Sequence, residues 1–201
     1  SQATFGWQSA QTVGEIARFG GLLFQIFSLV QLVLVLFFAL LFSAGSVAQE
    51  KDRKTLILLL MTDLKDRELV LGKLFSSLLL VGVLLAASIP VFAMTYAFGG
   101  VSLNQIGASL AICAATALAS GSWGSLVALW REKTFQTLAI SVLGTVLYLG
   151  AIEAGVTFAP PAAAYWIGLF NPFRAMMIVL DPLGPSGGVF PTAYIVALLG
   201  L

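Results

Sequence analysis

Charged side chains are absent from residues 19–49, 74–130 and 134–152, and these stretches are apolar almost throughout. A membrane-crossing helix needs about 20 apolar residues at 1.5 Å rise each. The pattern therefore predicts spans at 22–47, 74–98, 105–129 and 134–158, with an incomplete one at 191–201. The long middle stretch holds two spans, because Phe98-Gly99-Gly100 followed by Asn104 supplies a turn between them. The fold class that follows is all-α: a polytopic transmembrane helical bundle forming one domain over 1–201.

The polar segments between the spans set orientation. Eight of the ten Lys and Arg residues lie in 50–73 or at Arg131 and Lys133. Basic loops stay on the cytoplasmic side, so 48–73 and 131–133 are expected there. Two spans separate these loops, which agrees with a shared face. The Gly99–Asn104 turn and the segment 159–190 are then expected outside. Five of the seven prolines fall in 159–190, with Pro191 just beyond, and prolines this dense forbid a straight spanning helix. Within that segment, Asn171 reads as an N-cap and Pro172 as the first helical residue, with the helix ending at Asp181-Pro182. About nine residues are too few to cross a bilayer, so this helix must lie at the interface or dip in and return.

Composition agrees. Of 201 residues, 59% are hydrophobic and only 9% charged, with mean hydropathy +1.01, whereas a soluble domain carries roughly a quarter charged residues. The formal net charge of +1 offers no basic surface for nucleic acid. There is no histidine, which excludes histidine-based dyads or metal sites, and the lone Cys113 cannot form an intrachain disulfide. No metal or cofactor is expected. No phosphate loop, nucleophile elbow or pair of intramembrane acids is present. The first apolar run is too long for a signal peptide. The sequence starts without Met and stops inside an apolar run, so further helices are expected at both ends.

A few intramembrane residues stand out. Glu153 is the one acid inside a span. It reads either as an interfacial acid near the outer headgroups or as part of a substrate path or proton step, since a carboxylate at the bilayer centre costs roughly 2.5–3.5 kcal/mol. Gln25 and Gln31 suit interhelical hydrogen bonds. Pro90 removes one helical hydrogen bond, giving a static kink or a hinge. Gly107, Ala111, Ala115 and Ala119 recur every four residues, and Ser120, Gly124 and Ala128 continue a neighbouring ridge. Small residues at this spacing let helices approach closely in lipid, within the bundle or across a dimer.

The segment 50–73 reads EKDRKTLILLLMTDLKDRELVLGK. A short apolar helix, a turn near Thr62-Asp63 and a lead-in helix are expected, with Asp66 and Glu68 favoured in a helical first turn. Taken alone, this is an interfacial loop or a docking surface. Glu50, Lys51, Thr55, Leu56, Leu59, Leu60, Thr62, Leu64, Glu68, Val70, Gly72 and Lys73 fit the pattern E-K-x-x-x-T-L-x-x-L-L-x-T-x-L-x-x-x-E-x-V-x-G-K. In this the chain resembles the permease subunits of type-2 ABC exporters.

The resemblance implies a six-helix permease, of which this chain holds helices two to five and the start of six, with residues 1–19 as a connection. It implies no catalysis by this chain: a separate ATP-binding cassette subunit hydrolyses ATP. That subunit would receive Glu50, Lys51, Arg53, Thr55, Leu59, Leu60, Thr62, Glu68 and Lys73, with the coupling helix within 50–61. A second permease half, identical or not, would complete an exporter in a bacterial plasma membrane. The resemblance leaves the cargo open. Two other classes remain: an ion-coupled secondary transporter using Glu153, and a membrane scaffold that transports nothing.

Overall fold

The computed structural model describes residues 2–52, 66–130, 134–168 and 170–181. Its elements are α1 (Gln2–Asp52), α2 (Asp66–Ala97), α3 (Leu103–Trp130), α4 (Thr134–Phe158), α5 (Pro161–Gly168) and α6 (Pro172–Leu180). There is no strand among the described residues. Among the described residues, four helices are long and apolar enough to cross a membrane, through Gly14–Ser46, Leu78–Ala97, Leu103–Trp130 and Thr134–Phe158. The chain is an all-α polytopic bundle.

α1 extends well beyond its apolar part. The connection expected over 1–19 takes helical form from Gln2 and runs without a break into the first span. No proline interrupts it, and its glycines are scattered among helix-tolerant residues. α2 likewise continues through Pro90. The incomplete span expected at 191–201 lies outside the described residues.

Side-chain contacts fix the directions of the helices. α1 and α3 run parallel: Ser28 meets Ser109 at 3.3 Å near one end, and Ser43 meets Gly121 and Ser125 near the other. α1 and α2 run antiparallel, joined by the Gln31 to Ser88 hydrogen bond of 2.8 Å and by Phe24 edge-on to Phe92. The α2–α3 turn needs its glycines, because Gly99 and Gly100 have φ of 78° and 89°, the left-handed region. A side chain at Gly100 would also strike the Ala17 carbonyl of α1. The turn hands over to α3 through a capping box. The Gln105 amide donates to Ser102 Oγ, and the Ser102 amide donates back to Gln105 Oε1.

Burial is arranged for lipid rather than water. Phe75, Leu79, Leu80 and Val83 on α2 and Leu143, Val146 and Leu147 on α4 are exposed. Ser28, Gln31, Ser43, Ser109, Thr116, Ser125 and Ser141 are buried. Lipid tails leave an apolar surface no reason to hide, so close packing and hydrogen bonds decide what faces inward.

The proline-rich segment folds as a helical hairpin. Pro160 accepts hydrogen bonds from the amides of Ala163 and Ala164, which starts α5 with Pro161 as its first residue. α6 begins at Asn171, whose side chain accepts from the Phe173 amide at 2.9 Å, and it ends at Asp181. The hairpin folds back along the last part of α4 and returns. Tyr148 lies ten residues before the end of α4 at Phe158, about 15 Å along the axis. Its hydroxyl is nonetheless 3.5 Å from the Phe170 carbonyl in the hairpin turn. Asn171, the next residue, bonds Glu153, five residues before Phe158, so the turn reaches about 8–15 Å along α4. Ala175 and Met176 of α6 are fully buried in the same core as Phe24, Leu32, Ile112 and Cys113.

Candidate functional site

Two features sit where α3, α4 and the hairpin meet. The first is a groove of about 560 Å³, reaching Leu36 of α1 and capped by Phe170 and Pro172. Its walls carry Trp123, Tyr148 and Leu149 together with several hydroxyl residues, and no charged side chain lines it. The hydroxyls are turned onto their own helices. Thr116 donates to the Ile112 carbonyl at 2.7 Å, Ser120 to Thr116 at 2.7 Å, Ser122 to Leu118 at 2.8 Å and Thr145 to Ser141 at 2.9 Å. Each such bond uses the proton of the hydroxyl, so the wall offers weak acceptors and apolar carbon. The volume falls within the usual range of small-molecule sites, about 300–1,000 Å³.

The second feature is centred on Glu153. Arg174 of α6 binds its carboxylate in bidentate fashion, with Nε 3.0 Å from Oε1 and Nη2 2.9 Å from Oε2. Asn171 donates through Nδ2 to Oε1 at 2.5 Å while its own oxygen caps α6. Asn171 is buried, whereas Glu153 and Arg174 stay about half exposed. The planar guanidinium matches the carboxylate fork, the strongest geometry available to such a pair. Glu153 and Leu149 are one helical turn apart, so the cluster stands just beyond the groove.

Sequence reading singled out Glu153 and the Asn171 cap but missed Arg174 as the partner. A signal was present. Arg174 and Arg18 are the only basic residues outside the two basic loops, and a cation in a hairpin flanked by spans calls for an anion.

The remaining site residues lie elsewhere. Glu50 and Lys51 fall in the last turn of α1, and Glu68 and Lys73 in the first turns of α2. The antiparallel packing of α1 on α2 brings these ends to one end of the bundle. Arg53, Thr55, Leu59, Leu60 and Thr62 lie outside the described residues, as do Arg131 to Lys133. On α3, Gly107 is exposed, Ala111 and Ala119 are half-buried, and Ala115 is buried. The neighbouring ridge of Ser120, Gly124 and Ala128 is buried, and Gly124 faces α1. Among the described residues, no group of three or more Cys, Asp or Glu side chains could hold a metal ion.

No curated protein and no solved structure matches the chain. One family model does, over residues 4–200, and its description is ABC-2 family transporter protein.

Proposed function

The chain belongs to the ABC-2 transporter family, and from that premise we propose that it forms one membrane half of an ATP-driven exporter. It is a multi-pass membrane permease component, the non-catalytic part of such a transporter. A separate ATP-binding cassette subunit hydrolyses ATP and docks on the segment between α1 and α2. A second permease half, identical or related, faces this one across the transport path. The assembly sits in a bacterial plasma membrane with 50–73 and 131–133 in the cytoplasm and the hairpin outside. Closure of the ATPase pair rocks the halves between inward-open and outward-open states.

The observation that carries this reading is the segment 50–73 itself. Its pattern of Glu50, Lys51, Thr55, Leu59, Leu60, Thr62, Glu68, Gly72 and Lys73 joins two adjacent membrane helices at the basic end of the bundle. Leu59 and Leu60 supply apolar contact to the ATPase, about 1.5–3 kcal/mol for each fully buried side chain. The charged residues around them set register more than affinity. Each of them meets an opposite charge or stays wet, because a buried unpaired charge costs more than a pair returns.

The test is Leu59→Asp in the full-length chain. Membrane insertion should persist while copurified ATPase and transport both fall. Normal transport with normal ATPase association would remove the coupling role from this segment. Impaired insertion with unchanged association would make it a lipid-interface loop. The rival use of Glu153 as an ion-coupling acid meets a carboxylate whose two oxygens are already held by Arg174 and Asn171. A Glu153→Gln variant that abolished dependence on a proton gradient would favour that rival.

A further inference from the structure

α4 is lightly held. Of its 25 residues, only Thr137, Ser141 and Ile152 are buried among those described. Along its middle the groove separates it from α3, and the near approach there is Trp123 against Gly144. Its remaining packing is against α1 and α5, and lipid competes for apolar surfaces on equal terms. Directional polar bonds therefore weigh more in fixing its place than they would in water.

Among the described residues the outer half of α4 has two such links to the hairpin, a long one of 3.5 Å from the Tyr148 hydroxyl to the Phe170 carbonyl and a shorter, charged set at Glu153. Glu153 holds Arg174 and Asn171, both on the α6 side of the hairpin. α6 is itself fixed: Ala175 and Met176 are fully buried, and the Val179 carbonyl accepts from Gln105 of α3 at 3.4 Å. A path of contacts thus runs from α4 through Glu153 to α6, and from α6 into α1 and α3.

We propose that the Glu153–Arg174–Asn171 cluster is a releasable tie that positions the outer half of α4, and that its release lets α4 swing from α3 and widen the groove. Half exposure of both charged partners makes the tie releasable. A fully buried pair, once parted, leaves two unsolvated charges, and separation is prohibitive. Here both groups are only partly covered by protein, and Glu153 lies five residues, about 7.5 Å, before the end of α4, so each would reach toward the headgroup region as it leaves the other. Asn171 stays buried and keeps capping α6, so the hairpin retains its shape when the pair opens. Glu153 is thereby a positioning residue, one that acts through α6.

The inference needs no ATPase and no knowledge of the cargo, so it stands or falls apart from the exporter reading. Spin labels at Leu103 and Phe158, both exposed, report the separation of α3 and α4 at the outer end. Labels at Trp130 and Phe135, also exposed, report it at the opposite end. Distances are measured in the full-length chain in lipid nanodiscs. Glu153→Gln and Arg174→Gln should each add a longer-distance population to the 103–158 pair and leave the 130–135 pair unchanged. The charge exchange E153R/R174E should return the outer pair to its native distance. An unchanged outer distance in both single variants overturns the proposal, as does equal broadening at both ends. Should the single variants fail to insert, recovered insertion with the native outer distance in the exchange variant supports the tie, and continued failure overturns it.

Discussion

Gly124 of α3 faces the Leu40 carbonyl of α1 so closely that an added Cβ would lie 3.2 Å from the oxygen. Three small side chains surround this point: Ser43, Ser125 and Ala44. The two helices meet through backbone here. Gly124→Ala should lower stability by about 1 kcal/mol, since a strain of roughly 1–3 kcal/mol is partly offset by the ~1 kcal/mol helix preference of Ala over Gly. Gly124→Leu should prevent native packing. Thermal unfolding in detergent reads both, and an unchanged Gly124→Leu melting temperature would mean that the helices do not meet here.

The small-residue ridge on α3 should behave unevenly. A Cβ added at Gly107 meets nothing within 4 Å, whereas Ala115 is buried. Gly107→Ala should therefore be neutral or gain up to ~1 kcal/mol from helix propensity. Ala115→Leu should cost about 1–3 kcal/mol through overpacking. Equal effects in a melting series would argue against a one-sided ridge. Association measured in the same samples shows whether Gly107 also serves contact between two copies.

Asn171 has two separable roles, so its variants should rank. Asn171→Ser keeps a capping oxygen and loses the reach to Glu153. Asn171→Ala loses both, and the cap alone is worth about 1 kcal/mol. Amide exchange at Phe173, the residue whose N–H the cap accepts, should stay slow in the Ser variant and speed up in the Ala variant. Equal exchange in the two would leave the cap without weight.

Cysteines introduced at Lys54 and Lys133 should react with an impermeant maleimide only from the cytoplasmic side, and one at Ser186 only from outside. The clustering of eight basic residues in the two loops motivates this. Labelling of positions 54 and 133 from opposite faces would dismantle the arrangement.

What could be read from residues alone varied with how local the signal was. The fourth long helix begins and ends where Lys133 and Ala159-Pro160 punctuate the sequence, and α6 was readable from Asn171-Pro172 and Asp181-Pro182. α5 was not, because Pro160-Pro161 read as a breaker when the second proline is a helix start. The folding of the hairpin back along α4 could not be seen either. It depends on Phe170 reaching Tyr148, a contact across 22 residues. Glu153 and Arg174 are 21 residues apart on separate elements, and nothing local announces their pairing. The groove needed four elements to be placed, and Thr116, Ser120, Ser122 and Thr145 look polar in sequence although each spends its proton on its own helix.

The length of α1 has a mechanical consequence. It is one unbroken rod of 51 residues, about 76 Å long, packed against α2, α3, α4 and α6. Its firmest crossing with α3 is at Ser43, where Gly121 and Ser125 grip one hydroxyl. With Ser43 as fulcrum, the arm toward Asp52 is nine residues, about 14 Å, and the arm toward Ala17 is 26 residues, about 39 Å. Were the rod to tilt about Ser43, carrying with it the α2 and α3 residues bonded to Gln31 and Ser28, a shift of about 1 Å at Asp52 would be nearly threefold larger beside Ala17. Such leverage would turn a small displacement at the Asp52 end into a larger one at the Ala17 end, without any hinge within the helix.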